Sequence, residues 1–365
     1  MRILFLETPT GYGGSMQSLL ELIEYLPDEI DPVVAVPYDV RQYRAVPEKI
    51  RWEIIDAPKP RGFHGYVRLF THQLGWYGIV RRLLREHRPQ LVHLNSGFLE
   101  CLGGAVAARR ARLSVVAHAR GFSTSRRLLK RTARLVDCFV AISRAVAQNL
   151  VEHGVHPAKC KVVYDPVVAP RDPPTFRIRT NVAEVGILGM LQPWKGQHVF
   201  VEALHRLYQQ RIPFHASIAG AEPFGKVGYE RRLREMVRSM GMTHIVEFLG
   251  FVSKPFEYLK RLDVAVHASL EPEPLGRVVV EAMLAGAAVV ATSGGGVPEV
   301  VCHERTGLLV PMGNAQAMAG AIQRLLQDVD LRRRLADAGA ERAREMFDPV
   351  KHAREIMTIY HESWR

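Results

Sequence analysis

The stretch 271-EPEPLGRVVVEAMLAGAAVVATSGGG-296 decides the fold. Pro274 and Gly276 mark a turn that opens a helix, and Gly286 is placed to end it. A strand, AAVVAT, follows at once and runs into a glycine-rich loop, SGGGVPE. The three valines 278–280 would by themselves favour a strand, because β-branched side chains are stiff in a helix. The turn before them and the glycine after them outweigh that local preference. Glu273 and Glu281 bracket the start of this helix, with Glu281 about 7.5 Å along the axis from Gly276 at ~1.5 Å per residue. That arrangement suits a ligand lying along the helix start, with an anion at the N-terminus and hydroxyl-bearing groups to either side. Carboxylates accept well from vicinal hydroxyls.

Outward from this stretch the same alternation repeats. RILFLE, DPVVAVP, QLVHLN, LSVVAHA and CFVAIS are short, apolar and β-branched, with helical patterns such as GSMQSLLELIEYL and GIVRRLLREH between them. The pattern restarts with EVGILGML, HASIAGA, IVEFLG, DVAVHAS and AAVVATS. Continuous apolar strands alternating with helices predict parallel sheets covered on both faces. Two rounds predict an α/β protein of two doubly wound domains facing across a cleft. The proline-rich segment DPVVAPRDPPTFRIRT, residues 165–180, divides them. The expected domains are 1–166 and 167–346, with an amphipathic tail over about 347–365 that either caps the second or packs back on the first.

Composition narrows the class. At 365 residues, 47% hydrophobic and 24% charged, the chain fits globular domains and not disorder. No apolar run reaches the ~20 residues a spanning helix needs, and the N-terminal apolar run is too short for a secretory signal. Four cysteines, Cys101, Cys138, Cys160 and Cys302, stand singly, which predicts neither a disulfide framework nor a metal site. A reduced, cytoplasmic protein is expected. The net charge of +12 is concentrated in residues 51–150, which hold eighteen Lys or Arg against five acids. An anionic partner for the first half is the functional reading of that asymmetry, and a solvated basic face the plain one.

Ligands of open α/β sheets bind beyond the carboxyl ends of strands. Candidate residues follow from that rule. Gly13 and Gly14, in GYGG after the first strand, allow close backbone approach to an anion such as a diphosphate, with Ser15 as a possible N-cap. The full dinucleotide fingerprint is missing. His118 closes LSVVAHA, where it either hydrogen-bonds a ligand or packs as a satisfied core histidine. His93 is a weaker case of the same kind. Lys195, in GMLQPWKGQ, suits a point-charge contact to phosphate, with Trp194 beneath it.

Taken together the motifs resemble the GT-B-fold glycosyltransferases, in particular the large retaining family 4 (glycosyl transferases group 1). The resemblance rests on GYGGSMQSLLELI, VVAHARGF, FVAISRAVAQNL, GMLQPWKGQHVFVEAL, SIAGAEP, VEFLGFV and TGLLVP, and above all on the E-x7-E of Glu273 and Glu281. It implies two Rossmann-like domains, the first for the acceptor and the second for a nucleotide-sugar donor. By resemblance Glu273 binds donor-sugar hydroxyls, Glu281 the ribose, and the amides around Leu275 and Gly276 the sugar or diphosphate. Gly14 lies near the phosphates, Lys195 binds the diphosphate, His118 orients the reacting sugar, and Glu299 occupies a commonly acidic position. The implied reaction is transfer with retention, without metal or cofactor, to a saccharide or lipid-linked acceptor in surface polysaccharide or lipopolysaccharide synthesis. The basic, aromatic first domain suits a peripheral contact with an anionic membrane at its inner face; nucleic acid is not an expected partner. Met190 stands where the family usually has arginine, which removes a positive charge unless Arg277 or Arg120 replaces it. The alternatives are a nucleotide-sugar epimerase or phosphorylase on the same fold, a weakened sugar-nucleotide-binding subunit, and, least supported, an oxidoreductase.

Overall fold

A computed structural model describes residues 1–9, 11, 13–43, 46–59, 65–169, 182–223 and 228–364. The chain divides into two compact units, Met1–Pro166 with Asp348–Arg365, and Val167–Phe347. Of the prolines expected to separate the domains, Pro170, Pro173 and Pro174 lie outside the described residues.

The first unit contains β1 (Arg2–Leu6), α1 (Gly14–Tyr25), β2 (Asp31–Val36), β3 (Arg51–Ile54), α2 (Gly65–His87), β4 (Leu91–Leu94), α3 (Leu102–Arg110), β5 (Ser114–Ala119), α4 (Arg126–Thr132), β6 (Cys138–Ala141), α5 (Arg144–Glu152) and β7 (Cys160–Val162). Its sheet is parallel, in the order β3-β2-β1-β4-β5-β6-β7. The second unit runs β8 (Glu184–Leu188), α6 (Gln197–Gln209), β9 (His215–Ala219), α7 (Tyr229–Ser239), β10 (Val246–Gly250), α8 (Pro255–Leu259), β11 (Val264–His267), α9 (Arg277–Leu284), β12 (Ala288–Thr292), α10 (Val297–Val300), β13 (Leu308–Val310), α11 (Ala315–Gln327) and α12 (Val329–Met346). Its sheet is also parallel, β10-β9-β8-β11-β12-β13. The chain then returns to the first unit with α13 (Pro349–Ser363), which packs against α1.

Each sheet is built outward from its first strand and reverses direction once, between β1 and β4 and between β8 and β11. Those reversals open a crevice at the carboxyl ends of the strands. The central strands are buried on both faces, and all four residues of β4, β6 and β11 are buried. In the first unit the core unites Ile3, Phe5, Leu19, Ile23 and Val116 with Ile356, Ile359 and Tyr360 of α13.

Three local expectations change. Ser15 is not a cap: Gly13 holds that position, and the Ser15 hydroxyl instead donates to the buried Glu7 carboxylate at 2.6 Å. The helical pattern seen from Gly78 onward is the end of a longer helix, α2, which starts at Gly65. Strands β3, β7 and β13 were not evident in the sequence.

Candidate donor site

Helix α9 starts where the sequence placed it. Gly276 adopts φ +83, a left-handed conformation that disfavours other residues, and a Cβ there would come within 2.9 Å of Val297. Val279 and Val280 lie in the helix at 1% and 0% exposure, so burial overrides their strand preference. Gly286, at φ +81, follows the last turn. The loop after β12 braces the segment before the helix: Gly295 bridges Glu273, and the Gly296 amide donates to the Glu273 carbonyl at 2.8 Å. A Cβ on Gly295 would collide with that carbonyl at 2.0 Å.

Around this frame the side chains converge. Lys195 follows β8 and Glu273 follows β11, so the two flank the sheet reversal. The Lys195 ammonium donates to Glu273 Oε1 at 2.5 Å and sits 4.1 Å from the centroid of the Trp194 ring. That ring face is worth about 0.5–1 kcal/mol to a part-exposed cation. The Ser269 hydroxyl also donates to Oε1, at 2.5 Å, and His267 Nε2 lies 3.1 Å from the same oxygen. Oε2 receives no hydrogen bond from any described residue. Burial alone would raise the Glu273 pKa, but the bond from His267, its charge and that of Lys195 hold it well below the usual carboxylate range. Glu281, one turn into α9, accepts from Arg277 Nε at 3.0 Å. Here burial prevails and pushes its pKa up, with Arg277 opposing it only in part.

The remaining candidates are distributed as follows. Leu275 buries its side chain, which leaves only its backbone for a ligand. Glu299 lies in α10, where its carbonyl accepts from Arg342 at 2.7 Å. Met190 is 51% exposed just past β8. In the first unit, a Cβ on Gly13 or Gly14 would meet nothing within 4 Å, so the packing of the chain does not itself demand glycine there. Among the described residues, no group of three or more His, Cys, Asp or Glu side chains is arranged to hold a metal.

His118 is the penultimate residue of β5, followed by Ala119 and then by Arg120 beyond the strand. The His118 side chain is fully enclosed, with Nε2 3.2 Å from Asp165 Oδ1 and its ring stacked on His352 of α13 at 6.2 Å. Burial and the Arg120 charge bring its pKa down to about 4. Neither of its ring nitrogens makes a hydrogen bond to a described residue. His93 is also enclosed, with Nδ1 2.7 Å from the Tyr360 hydroxyl. The Arg120 guanidinium donates to Asp165 at 2.8 Å and to Asn95, both in the first unit. Arg277 is paired with Glu281.

His267, Ser269 and Thr292 were missed as site residues. Their signal was present, since His267 and Thr292 end neighbouring strands β11 and β12, directly before the acidic loop and the glycine loop.

Comparison with known proteins agrees with this geometry. Residues 12–171 match the family described as Glycosyltransferase Family 4, and residues 169–342 match Glycosyl transferases group 1. HepE of Anabaena, crystallised in complex with UDP, superimposes with a TM-score of 0.82 at 27% identity, over 99% of this chain and 100% of that one. Its complex with UDP-glucose gives 0.80 at 25% identity. YtcC of Bacillus subtilis is 24% identical over 97% of this chain and 89% of its own length. LpsB of Rhizobium meliloti, a lipopolysaccharide core biosynthesis mannosyltransferase, is 28% identical over 64% of this chain and 67% of its own. The chain belongs to the group 1, family 4 glycosyltransferases of the GT-B fold.

Proposed function

We propose that the protein moves a hexose-type sugar from a nucleotide-diphosphate donor to a saccharide or lipid-linked acceptor, with retention and without a metal or other cofactor. The observation that carries this reading is the clustering at the β8/β11 reversal and the start of α9: two buried glutamates, a lysine and a glycine-started helix. In this reading Glu281 accepts from the ribose hydroxyls, Glu273 Oε2 from hydroxyls of the donor sugar, and the amides of Leu275 and Gly276 meet the sugar or diphosphate. Lys195 has three N–H groups, so it can keep Glu273 while donating to the diphosphate; in the first unit the backbone at Gly13 and Gly14 leaves room for an anion.

The bond from the anomeric carbon to the phosphate oxygen breaks, and the acceptor oxygen attacks from the same face. The acceptor proton passes to the departing phosphate oxygen. Lys195 and the helix start stabilise the charge that develops there. Glu273 acts as a holder: a carboxyl whose pKa lies far below neutrality has no proton to give, and its Oε1 is already occupied by three donors.

UDP is the first nucleotide to test, because HepE was crystallised with UDP and with UDP-glucose. LpsB supports an acceptor in lipopolysaccharide or related surface polysaccharide. A peripheral contact with an anionic membrane at the cytoplasmic face is supported by α2, which exposes Leu69, Phe70 and Leu74 and carries Arg81, Arg82 and Arg85 further along. No helix among the described residues is long and apolar enough to cross a membrane.

Thermal-shift measurements with UDP-, GDP-, ADP- and dTDP-sugars test the donor, since ligand affinity converts into stability. One donor should raise the melting temperature, and Glu281→Ala should abolish the rise. A flat response to every nucleotide sugar, or a shift that survives Glu281→Ala, refutes the reading. Product anomeric configuration by NMR tests retention, and insensitivity to EDTA tests metal independence. Conversion of donor without acceptor would favour the epimerase. Met190 favours a second reading, a weakened binding subunit; gain of transfer in Met190→Arg would support it.

A further inference from the structure

Thr292, His267 and Glu273 form a chain of side chains that neither the motif nor the family match accounts for. His267 is 6% exposed and Thr292 is 1% exposed. The two residues end adjacent parallel strands, so the sheet itself fixes their spacing. The Thr292 hydroxyl lies 3.2 Å from His267 Nδ1 and 2.9 Å from the Ser269 carbonyl, to which it donates. The ring's other nitrogen, Nε2, faces Glu273 Oε1 at 3.1 Å. Lys195 and Ser269 reach the same oxygen. Lysine is long, flexible and part-exposed, and Ser269 and Glu273 share one loop. The His267 ring ties the carboxylate directly to a strand end.

Resting on the reading of Glu273 as the donor-sugar clamp, we propose that His267 is the positioning residue of that clamp. Nε2–H donates to Oε1 and fixes the plane of the carboxylate, so that Oε2 is presented to the sugar hydroxyls. Thr292 fixes the ring through Nδ1. His267 does not touch the donor. Its effect is therefore confined to the sugar half of the ligand and spares the nucleotide half, which Glu281 holds one turn into the helix. The arrangement follows the general behaviour of buried binding residues, whose own partners set their orientation.

The experiment compares His267→Asn and His267→Gln with the parent protein, using a nucleotide and its sugar conjugate, UDP and UDP-glucose first, then the other pairs. Gln can place an N–H near the position of Nε2, whereas Asn reaches only as far as Nδ1. The readout is the sugar increment, the ratio of conjugate to nucleotide affinity, compared with that of the parent. His267→Asn should reduce that sugar increment about tenfold, as expected for one lost hydrogen bond to a charged group, while leaving nucleotide affinity within about twofold. His267→Gln should restore most of it. Equal loss of nucleotide and conjugate binding, or an unchanged increment in His267→Asn, overturns the proposal.

A measurement without ligand separates this from failure of the donor reading. In protein carrying 15N-histidine, the His267 signal, assigned by its absence in His267→Asn, should report a protonated Nε2 and should move in Glu273→Gln. If no nucleotide sugar binds the parent, the donor reading falls while this signal still decides the Thr292–His267–Glu273 link. An unprotonated Nε2, or a signal indifferent to Glu273→Gln, overturns the link.

Discussion

Glu273 and Glu281 are equally buried at 8% exposure, yet their surroundings push their acidities in opposite directions. For Glu273 the folded pKa is depressed. Its stability contribution is present above the unfolded value and lost as pH falls through the folded one. For Glu281 the folded pKa is raised, so ionisation above the unfolded value works against the fold. The neutral isosteres should therefore behave oppositely at pH 7 without ligand. Glu273→Gln should lower stability by about 1–3 kcal/mol, because Lys195 and His267 lose a charged acceptor. Glu281→Gln should raise the melting temperature while removing the response to the donor. Differential scanning fluorimetry checks both, and a fall in Glu281→Gln would contradict the electrostatic account. This contrast was not legible in the sequence, which gives the two glutamates and their spacing but not the histidine and lysine that meet one of them and the arginine that meets the other.

Strands β1, β2, β4–β6 and β8–β12 were legible because each is a short, continuous apolar run. The strands that escaped are sheet edges: β3, β7 and β13 have four, three and three residues, and β3 and β7 are mostly accessible. An edge strand such as β3 or β7 is covered less completely, so its side chains need not be apolar, whereas β13 is apolar but too short at three residues to show a period. Helix α13 holds the opposite surprise, polar residues used in a core. His93, His118 and His352 lie in ring contact with one another or with Tyr360, and His352 Nδ1 donates to the Tyr164 carbonyl at 2.9 Å. Burial lowers all three pKa values, with His118 at about 4 and His352 at about 3. The groups facing this cluster are Asp165, which favours protonation, and Arg120, which opposes it. Because the folded values lie below the unfolded one, stability is full above the ordinary histidine value of 6.5 and is lost as pH falls below it. Each such histidine removes up to about 1.4 kcal/mol per pH unit in that window. The melting temperature should drop steeply between pH 6.5 and 4.5, and His352→Gln should flatten the slope. An unchanged slope would count against the cluster as its source.

Across the whole chain, the two family matches meet near the boundary of the two units, 12–171 on the first and 169–342 on the second. The concentration of charge in residues 51–150 falls entirely in the first unit. Not all of it is surface: Arg109 pairs with Asp137 at 2.9 Å, and Arg120 is enclosed. Much of what remains lies on α2 and α4. The proposed membrane contact should therefore appear as binding to vesicles containing anionic lipid at low salt, weakening as salt screens it. Serine at Leu69, Phe70 and Leu74 should reduce vesicle binding without lowering the melting temperature, since those side chains are already exposed. Co-sedimentation decides it, and equal binding to neutral vesicles would remove the electrostatic argument.

The return of α13 has a consequence in time. Ala353, Ile356, Ile359 and Tyr360 complete the core begun by Ile3, Phe5 and Leu19, but all of residues 167–347 are synthesised in between. At roughly 5–20 residues per second that interval is on the order of ten to forty seconds. During it, the nascent first unit presents an unfinished apolar face beside α1 while the second unit emerges and folds. An unfinished apolar face of this kind is open to aggregation on the ribosome until the last helix docks.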